Sequence, residues 1–125
     1  MNLNQVTIPS INVEKATKFY KTLGLKLIVD ALPRYVRFEC PNGEATFSIH
    51  KVEELPKGNG IVLYFEVENV EETVNQLKEK DIAFKTKILD QSWLWKEARL
   101  NDTDGNELII YHAGKNRNNP PWRIN

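Results

Sequence analysis

The sequence predicts an α+β fold in which one βαβββ unit occurs twice within a single domain of 125 residues. Three observations carry this. Apolar residues recur with strand or helix spacing in the order strand, helix, strand, strand, strand, and that order begins again after Lys57-Gly58-Asn59-Gly60. An asparagine stands directly before each helical stretch. Placing residue 5 on residue 62 superimposes Asn12-Val13-Glu14 on Asn69-Val70-Glu71, Ile8 on Phe65 and Lys21 on Lys78, a constant offset that marks an internal repeat.

Module 1 covers about residues 3–52. It opens with the short strand QVTIPSIN, and Asn12 then caps a helix, VEKATKFYKTL, that ends at Gly24. Val13, Ala16, Phe19, Tyr20 and Leu23 give that helix its buried stripe. Three strands follow, LKLIVD, YVRFEC and ATFSIH, the last two joined by the turn Pro41-Asn42-Gly43. The linker 53–60 contains Pro56 and two glycines. Module 2, about 61–113, repeats the plan: strand IVLYFEV, cap Asn69, helix VEETVNQLKEK, strands IAFKTKI and WLWKEARL, turn NDTDGN, strand ELIIYH. The tail 114–125 has no periodicity and reads as an irregular arm.

Seventeen basic and seventeen acidic side chains cancel, which leaves no electrostatic footprint for phosphate backbones and argues against a nucleic-acid partner. The one cysteine, Cys40, cannot form an internal disulfide and has no Cys-x-x-Cys partner for zinc. It reads as an inert thiol at a strand end. The opening MNLNQVTIPS lacks the basic-then-apolar pattern of a leader, and no apolar run reaches the length of a membrane span. The expectation is a cytoplasmic protein without a membrane partner.

Alternation along the strands separates two faces. Val6, Ile8, Val36, Phe38, Phe47, Ile49, Leu63, Phe65, Leu108 and Ile110 form one apolar set to be covered by the helices. The other set holds Gln5, Thr7, Tyr35, Arg37, Glu39, Thr46, Ser48, His50, Tyr64, Glu66, Trp93, Trp95, Glu97, Arg99, Ile109 and Tyr111. Tryptophans and tyrosines beside charges of both signs are typical of a concave ligand site, where aromatics supply area and polar groups set orientation. The plain alternative is the wet side of an antiparallel sheet.

The opening QVTIPSINVEKATKFYKTLGLKL and the closing NDTDGNELIIYH together resemble the vicinal oxygen chelate superfamily, the glyoxalase, bleomycin-resistance and extradiol-dioxygenase group. Thr103 stands where that group usually has proline. The resemblance covers residues 3 to 112 and implies paired βαβββ modules whose mixed sheets curl around a cavity, commonly in a homodimer. SWLWKEARLNDTDGNELIIYHAGKNRNNPPWR is similar to a bacterial branch of the group with a Trp-rich strand and a Pro-Pro-Trp-Arg tail. In metal-dependent members four positions supply ligands, and these fall on Gln5, Ser48, Val62 and Ile109. Valine and isoleucine offer no lone pairs, so the expected site is metal-free, with no cofactor. The alternative is a displaced divalent-metal site from Gln5, His50 and a glutamate, with Glu39, Glu66 and Glu97 on the same face.

Three functions are compatible with these residues. In a binding protein, Trp93, Trp95, Tyr35 and Tyr111 cover a small organic ligand, Arg37 or Arg99 pairs with its anionic group, and Gln5, Ser48 and Glu39 line the site. In an enzyme of lyase, isomerase or dioxygenase type, Glu97 or Glu39 acts as base and His50 as acid or relay. The competing role for both glutamates is cross-strand pairing with Arg37 or Arg99. In an interaction module, the aromatic face is covered by another protein, and the Trp122 tail either lies across a partner subunit or closes the pocket mouth.

Overall fold

A computed structural model describes residues 1–124 and divides the chain into two compact units, residues 1–60 with Asp102–Asp104, and residues 61–101 with the chain from Gly105 onward. The first unit contains strand β1 (Gln5–Ser10), helix α1 (Val13–Thr22) and strands β2 (Lys26–Ala31), β3 (Tyr35–Glu39) and β4 (Thr46–Lys51). They form a four-stranded sheet in the order β1-β4-β3-β2, with β1 and β4 parallel and the other pairs antiparallel. The second unit contains β5 (Val62–Glu66), α2 (Val70–Glu79), β6 (Leu89–Asp90), β7 (Lys96–Asn101) and β8 (Glu107–His112), ordered β5-β8-β7-β6 with β5 and β8 parallel. Two mixed sheets, each with one helix, make the α+β fold of two βαβββ modules.

The helices start where the asparagines require it. Asn12 Oδ1 accepts from the Lys15 amide at 3.1 Å, and Asn69 Oδ1 accepts from the Glu72 amide at 2.9 Å, each satisfying an amide that the first turn leaves without a partner. Gly24, at φ +105°, ends α1 in the left-handed region, where a side chain would be strained. Val13, Ala16 and Tyr20 of α1 are buried, as are Ile8, Val36, Phe38, Phe47 and Ile49 of the first sheet. The Tyr20 ring lies 4.7 Å from Phe47. In the second unit Val70, Val74 and Ala98 form a cluster with Val67, Phe84 and Ile88 against it.

Two expected strands are different in the structure. Residues 82–88 form no ladder, although Ile82, Phe84, Thr86 and Ile88 alternate in burial as a strand would. Phe84 and Ile88 are partly buried by packing against the cluster of Val70, Val74 and Ala98, and the segment is hydrogen-bonded to β7 where the Lys85 amide donates to the Arg99 carbonyl and the Arg99 amide to the Thr86 hydroxyl. The stretch WLWKEARL becomes a strand only at Lys96. Before it, Gln91 and Trp95 close a tight turn in which the Gln91 amide donates to the Trp95 carbonyl at 2.8 Å and Leu94 takes φ +67°. Alternation therefore stops at Lys96. Trp93 lies on the turn, 40 % exposed, rather than in line with Glu97 and Arg99.

Candidate functional site

The polar face of the first sheet is organised around Ser48. Register places Thr7 and Arg37 on either side of it, and period-2 alternation turns all three away from the helix. Ser48 is fully buried, and its hydroxyl accepts from Gln5 Nε2 at 2.8 Å and shares a 2.6 Å hydrogen bond with the Thr7 hydroxyl. The other end of the Gln5 amide, Oε1, accepts from the Thr46 hydroxyl. Arg37 Nε donates to the Tyr35 hydroxyl at 2.9 Å, and its guanidinium carbon lies 5.6 Å from the Tyr35 ring centre. Hydrogen bonding to Ser48 is the largest influence and holds the Tyr35 phenol below its ordinary pKa; desolvation, second in size, opposes it, and the bond and charge of Arg37 add smaller lowering effects.

The structure thus brings together four residues expected to bind substrate: Gln5, Tyr35, Arg37 and Ser48. Thr7 and Thr46 complete the group. Arg37 has no carboxylate partner among the described residues, because Glu39 pairs with Lys26 at 3.6 Å. His50 is exposed at the end of β4, opposite Pro9 and Tyr35.

In the second sheet, Glu97 and Arg99 of β7 stand opposite Tyr111 and Ile109 of β8. Glu97 is 2 % exposed and neither carboxylate oxygen has a hydrogen bond. Arg99 Nε approaches Oε2 at 3.3 Å as an ionic contact, while Arg99 Nη1 lies 3.4 Å from Glu107 and Lys85 lies 3.1 Å from the same Glu107. Four charges of alternating sign run along this face. Sequence reading found the Glu97–Arg99 pair as one of its alternatives and missed Glu107 and Lys85, which close the chain of charges.

Trp95, just before β7, stacks on Tyr111 with ring centres 4.6 Å apart and planes at 21°. Tyr64 of β5 meets both edge-on, at 5.9 and 5.8 Å. Burial, with the nearby Glu66 charge second, pushes the Tyr111 phenol up. Beside this group a cleft of about 560 Å³ opens between the 91–95 turn and the segment His112–Asn116. His112, Lys96, Asp90 and Lys115 line it with Trp95 and Leu94.

The side chains at the four superfamily ligand positions do not suit a metal. Both ends of the Gln5 amide are engaged by Ser48 and Thr46, Ser48 is sealed among hydrogen-bond partners, and Val62 and Ile109 carry no donor atom. The displaced arrangement would have to span distant positions of one sheet. Gln5 is paired with Thr46 and Pro9 with His50, which sets Gln5 and His50 four residues apart in register, about 13 Å at strand rise. Among the described residues no three His, Cys, Asp or Glu groups converge as a metal site requires. No helix among them is long and apolar enough to cross a membrane.

The sequence model of the family described as "Glyoxalase-like domain" matches residues 3–113. Among solved structures, lactoylglutathione lyase from Agrobacterium tumefaciens is similar at a TM-score of 0.75 and 14 % identity, covering 89 % of this chain and 92 % of its own. A glyoxalase/bleomycin resistance protein/dioxygenase from Nocardioides gives a TM-score of 0.80 at 16 % identity, over 100 % of this chain and 90 % of its own. A member of the glyoxalase/bleomycin resistance protein/dioxygenase superfamily from Sphaerobacter thermophilus gives 0.73 at 21 % identity, over 90 % and 97 %. No curated protein matches the sequence significantly.

Proposed function

Because the chain belongs to the glyoxalase-like domain family of the vicinal oxygen chelate superfamily, we propose that it binds a small organic acid without a metal, using the polar face of the first sheet. One observation carries this reading. Arg37 is an exposed cation without a carboxylate partner among the described residues, set beside the Tyr35, Ser48, Gln5 and Thr7 hydrogen-bonding groups. A guanidinium next to a protonated phenol is suited to an anion, which accepts from the N–H groups of the one and the O–H of the other.

The test is thermal melting of wild type and Arg37→Gln against pyruvate, lactate, succinate and benzoate. A rise in Tm that grows with ligand concentration and disappears in Arg37→Gln supports the anchor. An equal rise in the variant, or none in wild type, removes it.

A second reading is proton-transfer catalysis through Glu97 of the second unit, or through Glu39 of the first. Its support is the Glu97 carboxylate, whose oxygens are without hydrogen bonds; the Arg99 contact and the complete burial weigh toward a structural role. Deuterium exchange into the methyl group of pyruvate, followed by NMR, separates the two readings. Exchange that is absent, or unaltered by Glu97→Gln, ends the catalytic one.

The reading also places the protein in the cytoplasm as a homodimer. Its support is the single free Cys40 for the compartment and the exposed Trp122 on the tail for the interface. Elution at 14.5 kDa on size exclusion would remove the dimer.

A further inference from the structure

We propose that the cleft beside the Gln91–Trp95 turn is a second binding site, independent of the Arg37 anchor, for a hydroxylated aromatic carboxylate. Its volume of about 560 Å³ lies within the range of small-molecule sites and accommodates a single substituted ring. Both walls are held before any ligand arrives. The turn is closed by its own backbone bond, and Trp95 is fixed by the Tyr111 stack and by Nε1 donating to the Asn116 carbonyl at 3.5 Å. The opposite wall is tied down by Glu66, which accepts from the Ala113 and Gly114 amides at 2.8 and 2.9 Å. A preformed cleft spares the ligand the cost of ordering it.

The lining determines the class of ligand. Trp95 and the exposed Leu94 present an aromatic and an apolar surface for a flat ring. Lys115 is exposed and has no ion pair among the described residues, whereas the other lysine of the cleft, Lys96, is taken by Glu71 at 2.5 Å. A carboxylate on the ring therefore has one free cation to meet. His112 Nδ1 faces the Val67 carbonyl at 2.8 Å. A carbonyl only accepts, so Nδ1 carries the proton, with Glu66 Oε2 also 3.9 Å from it, and in the neutral tautomer this leaves Nε2 as an acceptor. The ligand group that satisfies it is a hydroxyl.

The test uses 4-hydroxybenzoate and benzoate in a Trp93→Phe/Trp122→Phe background, where Trp95 is the one remaining indole of three. Saturable quenching of Trp95 emission by 4-hydroxybenzoate, stronger than by benzoate, is expected. Lys115→Glu should weaken it about tenfold or more, the equivalent of one lost charge contact, and Arg37→Gln should leave it unchanged. Lys115 is exposed and has no ion pair among the described residues, so its replacement does not threaten folding. Absence of saturation up to millimolar ligand, or insensitivity to Lys115→Glu, overturns the proposal. Loss of quenching in Arg37→Gln transfers the binding to the first sheet and overturns it as well. A failed acid screen at Arg37 leaves this titration unaffected.

Discussion

Tyr20 donates its phenolic proton to Asp102 Oδ2 at 2.5 Å, a contact between residues 82 positions apart in which both side chains are buried. Burial, reinforced by the Asp102 charge, pushes the Tyr20 phenol far above its ordinary range. The raised value means that the folded chain holds this proton where the unfolded chain releases it. The stabilisation is whole below about pH 10 and declines above it. Tyr20→Phe should cost about 1.5–3 kcal/mol in urea unfolding at neutral pH, as for a hydrogen bond to a charged group. It should also flatten the alkaline decline, and a variant as stable as wild type would mean that the bond contributes nothing net.

The Glu97–Arg99 pair should respond asymmetrically to mutation. Arg99→Met leaves a buried carboxylate with neither charge partner nor hydrogen bond, at an expected cost of about 3 kcal/mol or more. Glu97→Leu fills the same space with an apolar group and leaves Arg99 its Glu107 contact, so it should lie within about 1 kcal/mol of wild type or above it. Urea midpoints of the two variants decide this. Equal losses would show that Glu97 is stabilising in its own right.

Tyr35 should titrate at lower pH than free tyrosine, and Arg37→Gln should move it back up, because it removes both a hydrogen bond and a positive charge from the phenolate. The folded value is the depressed one. Its contribution to stability is therefore complete above about pH 10, where unfolded tyrosine ionises. It is lost as pH falls through the folded value. Ultraviolet difference titration of wild type against Tyr35→Phe isolates this residue; a curve unmoved by Arg37→Gln would contradict the Arg37 contribution.

Much of the architecture was legible because local chemistry and burial agree. Asn12 and Asn69 start helices in both modules, and alternation sorted the strand residues onto their faces, which is why Gln5, Tyr35, Arg37 and Ser48 could be grouped before their contacts were known. Residues 82–88 were misread because packing against α2 produces the same two-residue rhythm as a sheet. The turn before β7 was hidden for a different reason: Leu94 occupies a left-handed conformation that glycine or asparagine would have announced. The cleft was not legible at all, since Lys115 lies in a tail without pattern and meets the 91–95 turn only through tertiary folding.

The hydroxyl pair Thr7–Ser48 has no fixed direction, since either oxygen can donate across its 2.6 Å contact. Gln5 already gives Ser48 one proton, so Ser48 either passes its own to Thr7 or accepts a second and turns its own toward Tyr35. Rotation of two hydroxyl protons reverses the polarity of the whole row without displacing a heavy atom. The same surface can then greet an incoming group as a donor or as an acceptor, which gives a small, rigid sheet a chemical tolerance that its fixed backbone would otherwise deny it.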